Sequence, residues 1–132
     1  MDPIRVTRPR HRAAILRAVI GIMRLDGEAY QGTSRLGPAV ENSLIIQAIV
    51  LGQADGRPMT ASDIAGYLGV PRSTVIHRID RMPKRIGVMR HKRGRRVEYS
   101  IAIANDPKVI AALVEECKAI TVACRELSKP DT

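Results

Sequence analysis

Residues 59–101 read MTASDIAGYLGVPRSTVIHRIDRMPKRIGVMRHKRGRRVEYSI and predict two short helices, a tight turn between them and a basic hairpin. Thr60 and Asp63 have the spacing of a capping box, with Asp in place of Glu, so the first helix begins there. Gly69 supplies a left-handed residue that ends this helix, and Pro71 suits the start of the next one. These independent signals agree, which favours one defined local structure.

The second short helix is predicted to have one apolar and one polar face. Val75, Ile79 and Met82 repeat at intervals of four and three residues, so they share a buried face, and Pro83 ends the helix. A supporting helix, a glycine turn and a helix of this kind predict a helix-turn-helix, whose second helix enters the major groove of DNA. The candidate DNA-contacting residues on it are Arg72, Ser73, Thr74, Ile76, His77, Arg78 and Arg81.

The hairpin is predicted to have strands Val88–Lys92 and Arg96–Ile101 around the turn Arg93–Gly94–Arg95. Its tip, RHKRGRR, holds six basic side chains among seven residues, a composition that suits DNA phosphates or the minor groove. The candidate DNA-contacting residues of this wing are Arg90, Lys92, Arg93, Arg95 and Arg96.

The formal net charge of +9 is concentrated in two segments. Residues 58–104 carry ten basic and three acidic groups, a charge of +7, and residues 1–17 carry +4, whereas the rest of the chain is nearly balanced. This distribution predicts a polyanionic partner. Because Phe and Trp are absent and only three Tyr are present, base stacking is not expected as the main binding mode, and the partner is predicted to be double-stranded DNA.

Longer helices are predicted on both sides of this region. The first runs from Pro9, with Thr7 as a candidate cap, to about Asp26 and stops at Gly27. Its apolar positions cover more than one stripe, so it needs more than one neighbour. A second helix is predicted over residues 38–54, and a last one over residues 107–127, where Asp106 and Pro107 form a start signal.

The last helix carries apolar residues at spacings of 3, 4, 3, 4 and 3, which is a heptad seam and predicts a partner helix across a homodimer. The two cysteines of the chain are in this seam. They are too few for a disulfide framework and are expected to act as small core hydrophobes, with a disulfide to the partner chain as the alternative. The seam consists of Ile110, Leu113, Cys117, Ile120, Cys124 and Leu127.

The order of these elements over residues 40–104 resembles the MarR-type winged helix-turn-helix transcriptional regulators. LGVPRSTVIHRIDRM is similar to the turn and recognition helix of that family, and VMRHKRGRRVEYSI is similar to its wing. The resemblance implies a mainly α fold with a small β wing, a homodimer packed through its N- and C-terminal helices, and a palindromic operator. The chain lacks the aromatic residues that often line a ligand cleft in the family, so a small-molecule effector is not supported.

The predicted organisation has four parts: a flexible basic arm (1–8), an N-terminal helix and loop for dimerisation (9–37), a winged helix-turn-helix (38–104) and a C-terminal dimerisation helix (105–132). The predicted function is sequence-specific binding of double-stranded DNA by a cytoplasmic, homodimeric transcriptional regulator. Two alternatives stay open, namely a nucleoid-type or architectural protein of low sequence preference and a winged-helix protein-interaction module.

Enzymatic, metal and membrane functions are not expected from this sequence. No nucleophile–base pair or glycine-rich phosphate loop is present, and His11, His77 and His91 lack metal-ligand spacing, so neither a cofactor nor a metal is predicted. The N-terminus is not a secretory signal, and no apolar run approaches the length of a membrane span.

Overall fold

The computed structural model of the protein describes residues 8–33 and 35–129, which are mainly helical with one two-stranded antiparallel sheet. The predicted cap Thr7 and nearly all of the predicted basic arm lie outside these residues. In chain order the elements are α1 (Pro9–Gln31), α2 (Leu36–Ala54), α3 (Ala61–Leu68), α4 (Arg72–Asp80), β1 (Val88–Arg93), β2 (Arg96–Ile101) and α5 (Pro107–Ser128), with short 3-10 turns at Lys84–Ile86 and Ala102–Asn105.

The helix α1 is longer than its sequence pattern predicts. It continues through Gly27 and ends at Gly32, whose φ of 67° is left-handed and whose N–H donates to the carbonyl of Glu28. The predicted stop at Gly27 is wrong because this glycine is buried in helical backbone, where a Cβ would lie 3.2 Å from the Thr33 carbonyl oxygen. The extra turn brings Tyr30 into the core.

The core is built around α2, from which Ile45, Ile46 and Ile49 are fully buried. This helix begins at Leu36, slightly before the predicted start at residue 38. The side chains of α3, α4 and β2 pack against it, and the interior is mostly aliphatic, as its composition predicts. The other buried members of this core include Tyr30, Ala48, Ala61, Ile64, Ala65, Val75, Ile79, Ile86, Tyr99, Ile101 and Val109.

The predicted capping box at the start of α3 is confirmed. The Asp63 N–H donates to Thr60 Oγ1 at 3.1 Å, and the Thr60 N–H donates to Asp63 Oδ2 at 2.9 Å. The hydrogen bond from the Thr60 backbone holds the pKa of Asp63 below its usual value. Gly69 ends α3 with a φ of 72°, as predicted, and the chain turns directly into α4. Because α4 ends at Asp80, the predicted helical residue Met82 lies just beyond it.

The hairpin is fixed to the start of α3. Its register pairs Val88 with Ile101 at the open end and Arg93 with Arg96 at the tip. The strand β1 therefore runs one residue beyond the predicted Lys92, and the turn contains only two residues, of which Gly94 has a φ of 63°. The Tyr99 N–H donates to the Met59 carbonyl at 3.0 Å, and an isolated bridge joins Thr60 to Glu98.

The helices α1 and α5 form an antiparallel pair whose far ends are joined by an ion pair between Arg10 and Glu126, 3.2 Å apart. The predicted start of α5 is confirmed, since Asp106 accepts a hydrogen bond from the Lys108 N–H at 2.8 Å and Pro107 is the first helical residue. Contacts of α1 with both α2 and α5 explain why its apolar positions cover more than one stripe.

The predicted seam of α5 is not covered by α1, which instead packs on the face containing Val109, Ala112 and Glu116. Five of the six seam residues are exposed and Leu127 is half-buried. The expectation that both cysteines are buried as core hydrophobes is wrong for the single chain, because both thiols are exposed on this face. Within the described ranges, no helix has the length and apolar character needed to cross a membrane.

Candidate nucleic-acid interface

The helix α4 lies between two polar grooves. The first groove, of about 680 Å³, separates α4 from α2, and the second, of about 520 Å³, separates α4 from the β1–β2 hairpin. The core residues Val75 and Ile79 hold α4 against the rest of the molecule, so its polar side chains point away from the core on both sides. The short capped helix α3 and the tight turn at Gly69 fix the start of α4.

All seven predicted residues on and after α4 line one of these grooves. Ser73, Thr74, His77, Arg78 and Arg81 line the first groove, and Arg72 and Ile76 line the second. Of the predicted hairpin residues, Arg90, Arg95 and Arg96 line the second groove opposite α4, whereas Lys92 and Arg93 are exposed and line neither groove.

The wall of the first groove that faces α4 comes from α2, which contributes Glu41 and Asn42. Glu41 Oε2 lies 3.1 Å from a terminal nitrogen of Arg78, so an ion pair crosses this groove. Neither α2 residue is among the predicted interface residues, because the aliphatic stripe of that helix predicts a purely core role. The available signal was the polar run of residues 41–43 within a helix that is apolar over most of its length.

In the second groove Arg90 is held from two directions. Its guanidinium forms an ion pair with Asp80 at the end of α4, and it lies over the ring of Tyr99, 5.8 Å from the ring centroid. These contacts join the C-terminal end of α4 to the hairpin.

On the hairpin itself, Glu98 forms ion pairs with two arginines. Its Oε1 lies 3.2 Å from Arg93 Nε, and its Oε2 lies 3.7 Å from a terminal nitrogen of Arg96. Arg96 also lies 3.5 Å from Asp63 Oδ2 at the start of α3. The Glu98 side chain is only 13% exposed, whereas Arg93 is 76% exposed.

The remaining cations of this surface are not balanced in the same way. Among residues 8–33 and 35–129, no ion pair involves Arg72, Arg81, Lys92 or Arg95. Each of these four side chains is exposed. The part of the chain that the structure describes contains no group of three or more histidine, cysteine, aspartate or glutamate side chains that could hold a metal ion.

Comparison of the chain with protein-family models, with curated proteins and with solved structures found no match. The candidate interface is therefore described by the geometry of this chain alone. It consists of a projecting helix, a polar groove on each side of it, and exposed arginines on both the helix and the hairpin.

Proposed function

We propose that the chain is a winged helix-turn-helix protein that binds double-stranded DNA as a homodimer and regulates transcription. In this proposal α4 is the recognition helix and the β1–β2 hairpin is the wing. The observation that carries it is the position of α4 between two polar grooves. The major groove of B-DNA is about 12 Å wide and admits one α-helix, so the two flanking sugar-phosphate backbones would lie over the two grooves.

The side chains on this surface suit the two kinds of contact that such docking needs. Arg72 is in the first turn of α4, the part of a recognition helix that reaches base edges, and an arginine there contacts guanine through two hydrogen bonds. Ser73 and Thr74 in the same turn are suited to bases or phosphates. Arg81 beyond the end of α4 and Arg95 at the tip of the wing are suited to the two flanking backbones.

The charge distribution supports a duplex as the partner. Residues 58–104 carry +7, and four exposed cations of the proposed interface lack an ion-pair partner in the described chain. Neutralising phosphates with such cations releases condensed counterions, so affinity should fall steeply as salt rises. A winged helix that binds only protein does not need this charge.

The homodimer is supported by apolar side chains that the single chain leaves uncovered. Ile110, Leu113 and Ile120 of the α5 seam are each about half exposed, at 48%, 49% and 51%. On α1, Leu16 and Val19 are 51% and 53% exposed. Apolar faces of this kind on adjoining helices are typically covered by another protein surface. A second copy carries the same heptad seam, so the two seams can pack against each other.

The experiment that tests the function is selection of bound duplexes from a random pool with the full chain. A homodimeric regulator should enrich a palindromic sequence whose half-sites are about one helical turn, ~34 Å, apart. Salt-sensitive binding without any enriched sequence would indicate the nucleoid-type alternative. The absence of salt-sensitive binding to any duplex would contradict DNA binding and indicate a protein-interaction module.

A further inference from the structure

The arginines of the proposed interface fall into two groups according to their carboxylate partners. Each arginine of the first group lies within 4 Å of a carboxylate oxygen. For the second group the described chain contains no carboxylate within that distance. The first group is Arg78, Arg90, Arg93 and Arg96, and the second is Arg72, Arg81 and Arg95, together with Lys92.

Glu98 is the carboxylate on which this division depends most, because its single side chain forms ion pairs with two arginines of the wing. Both of its oxygens are engaged, Oε1 by Arg93 and Oε2 by Arg96. The register places Glu98 opposite His91, so Arg93 is its diagonal neighbour on the same face of the hairpin. The bridge to Thr60 fixes the backbone of Glu98, and its side chain is mostly buried. The carboxylate is therefore held in place rather than free to swing away.

A cation that already faces a carboxylate contributes little to phosphate neutralisation. Counterion release counts the phosphates that a protein neutralises, and an internal ion pair adds no net charge to that count. When a phosphate approaches such a pair, either the arginine must leave the carboxylate or two negative groups must come close together. Both outcomes lower affinity for every duplex equally, whatever its sequence, whereas contacts of α4 with base edges are unaffected. The ratio of specific to non-specific affinity is therefore unchanged, and the ion pair lowers only the electrostatic part of the affinity.

We propose that Glu98 limits the phosphate-neutralising charge of the DNA interface, because it holds Arg93 and Arg96 so that Arg95 and Lys92 alone supply that charge from the wing. The inference rests on the proposed DNA-binding function. It assigns different roles to Arg93 and Arg95, which the sequence alone does not distinguish. In the tip RHKRGRR, Arg93 and Arg95 differ only by their places on either side of Gly94. Their contacts in the structure differ completely, since Arg93 pairs with Glu98 and Arg95 faces the groove beside α4.

The first test is the substitution Glu98→Gln in the full chain, with binding to random duplex measured over a range of salt. Release of Arg93 should steepen the slope of log K against log salt by about 0.9, the contribution of one added phosphate contact. Affinity for random duplex near 0.1 M salt should rise by about fivefold. This is the largest gain expected when binding no longer has to disrupt one exposed ion pair. The matched control is Glu115→Gln on α5, which removes the same charge from an exposed ion pair with Lys118 that lies outside the proposed interface.

The second test compares Arg93→Ala with Arg95→Ala, two exposed wing residues that undergo the same chemical change. Arg95→Ala should flatten the salt slope by about 0.9, and Arg93→Ala should leave it nearly unchanged. Adding Arg93→Ala to Glu98→Gln should return the slope to that of the wild type. If Glu98→Gln proves too unstable to measure by its thermal unfolding midpoint, the comparison of Arg93→Ala with Arg95→Ala carries the test, because neither side chain is buried.

Two results would overturn the inference. One is equal flattening by Arg93→Ala and Arg95→Ala, and the other is an effect of Glu98→Gln no larger than that of Glu115→Gln. Both leave the proposed function standing, because they presuppose salt-sensitive duplex binding by the wild type. If the wild type itself shows no such binding, the proposed function fails, and the inference fails with it.

Discussion

Asp26 of α1 and Glu116 of α5 form a buried carboxyl pair, since the two residues are only 7% and 8% exposed. Gln47 of α2 donates a hydrogen bond to Asp26 Oδ2, and Glu116 Oε1 is buried without a hydrogen-bond partner in the described chain. Burial, the hydrogen bond to Asp26 and the charge of Asp26 together raise the pKa of Glu116 to about 8. The pair therefore holds a proton at neutral pH, at the point where α1, α2 and α5 meet.

This pair predicts that stability falls as pH rises. The pKa of Glu116 is about 8 in the folded chain and 4.5 for a free glutamate, so the folded state binds more protons between these values. The stabilising contribution is complete below about pH 4.5 and is lost as pH rises through 8. Glu116→Gln keeps a neutral hydrogen-bond donor beside Asp26, so its free energy of unfolding should vary less with pH. At pH 9 it should exceed that of the wild type by a few kcal/mol, since each pKa unit corresponds to about 1.4 kcal/mol.

The measurement is chemical unfolding of wild type, Glu116→Gln and the exposed control Glu115→Gln between pH 5 and pH 9. Tyr30 is also coupled to the pair, since burial and the two carboxyl groups raise its pKa to about 12, so it stays neutral over this range. If the free energy of unfolding varies with pH in the same way for the wild type and Glu116→Gln, the pair does not hold a proton at neutral pH.

The position of Arg72 in the first turn of α4 predicts a local effect on sequence preference. Arg72→Ala should reduce discrimination at one base pair by ~1–3 kcal/mol while leaving preference at the other positions intact. Competition between the enriched duplex and its single-base variants measures this directly. Arg24→Ala, an exposed arginine on α1, is the control for loss of charge. Uniform weakening at all positions would place Arg72 on a phosphate instead of a base.

The exposed seam predicts that the oligomeric state depends on one face of α5. Ile120→Asp should yield monomers in sedimentation, because a charge on the seam cannot be buried against a second copy. Val122→Asp is the matched control, since Val122 is 56% exposed but lies two residues further along, roughly on the opposite side of the helix. A dimer that survives Ile120→Asp, or one that is lost equally in both variants, would contradict the seam.

Two glycines with different surroundings predict opposite changes in stability. A Cβ on Gly52 would lie 2.9 Å from the Arg57 carbonyl oxygen and 3.1 Å from the Met59 backbone nitrogen. Gly52→Ala should therefore destabilise the chain by ~1–3 kcal/mol. Gly66 is in α3 with nothing within 4 Å of its Cβ position, so Gly66→Ala should stabilise by about 0.5–1 kcal/mol through its higher helix propensity. Thermal unfolding of both variants checks the pair, and a shift in the same direction would be inconsistent with this packing.

Local features of the fold were predictable from the sequence because neighbouring residues produce them. The capping box of Thr60 and Asp63, the turn at Gly69 and the start of α5 at Asp106 each need only a few consecutive residues. The end of α1 was not predictable in this way. Whether Gly27 or Gly32 takes the left-handed conformation depends on the burial of Tyr30 against distant helices.

The candidate interface shows the same division. The residues of α4 and the hairpin follow from periodicity and charge, and the structure places all of them except Lys92 and Arg93 around two grooves. Partners from other elements could not be predicted, because Glu41 reaches Arg78 across 37 residues and Asp63 reaches Arg96 only once the hairpin is fixed beside α3. Tertiary contacts, and not composition, therefore determine which arginines of this surface form ion pairs with carboxylates.

In the proposed complex α4 enters the major groove of a duplex. Methylation interference on the enriched duplex tests it most directly, because a methyl group on guanine N7 lies in that groove. We expect that methylation at one or more guanines in each half-site blocks binding, and that Arg72→Ala removes the block at one of them. Binding that tolerates methylation at every guanine would contradict the claim.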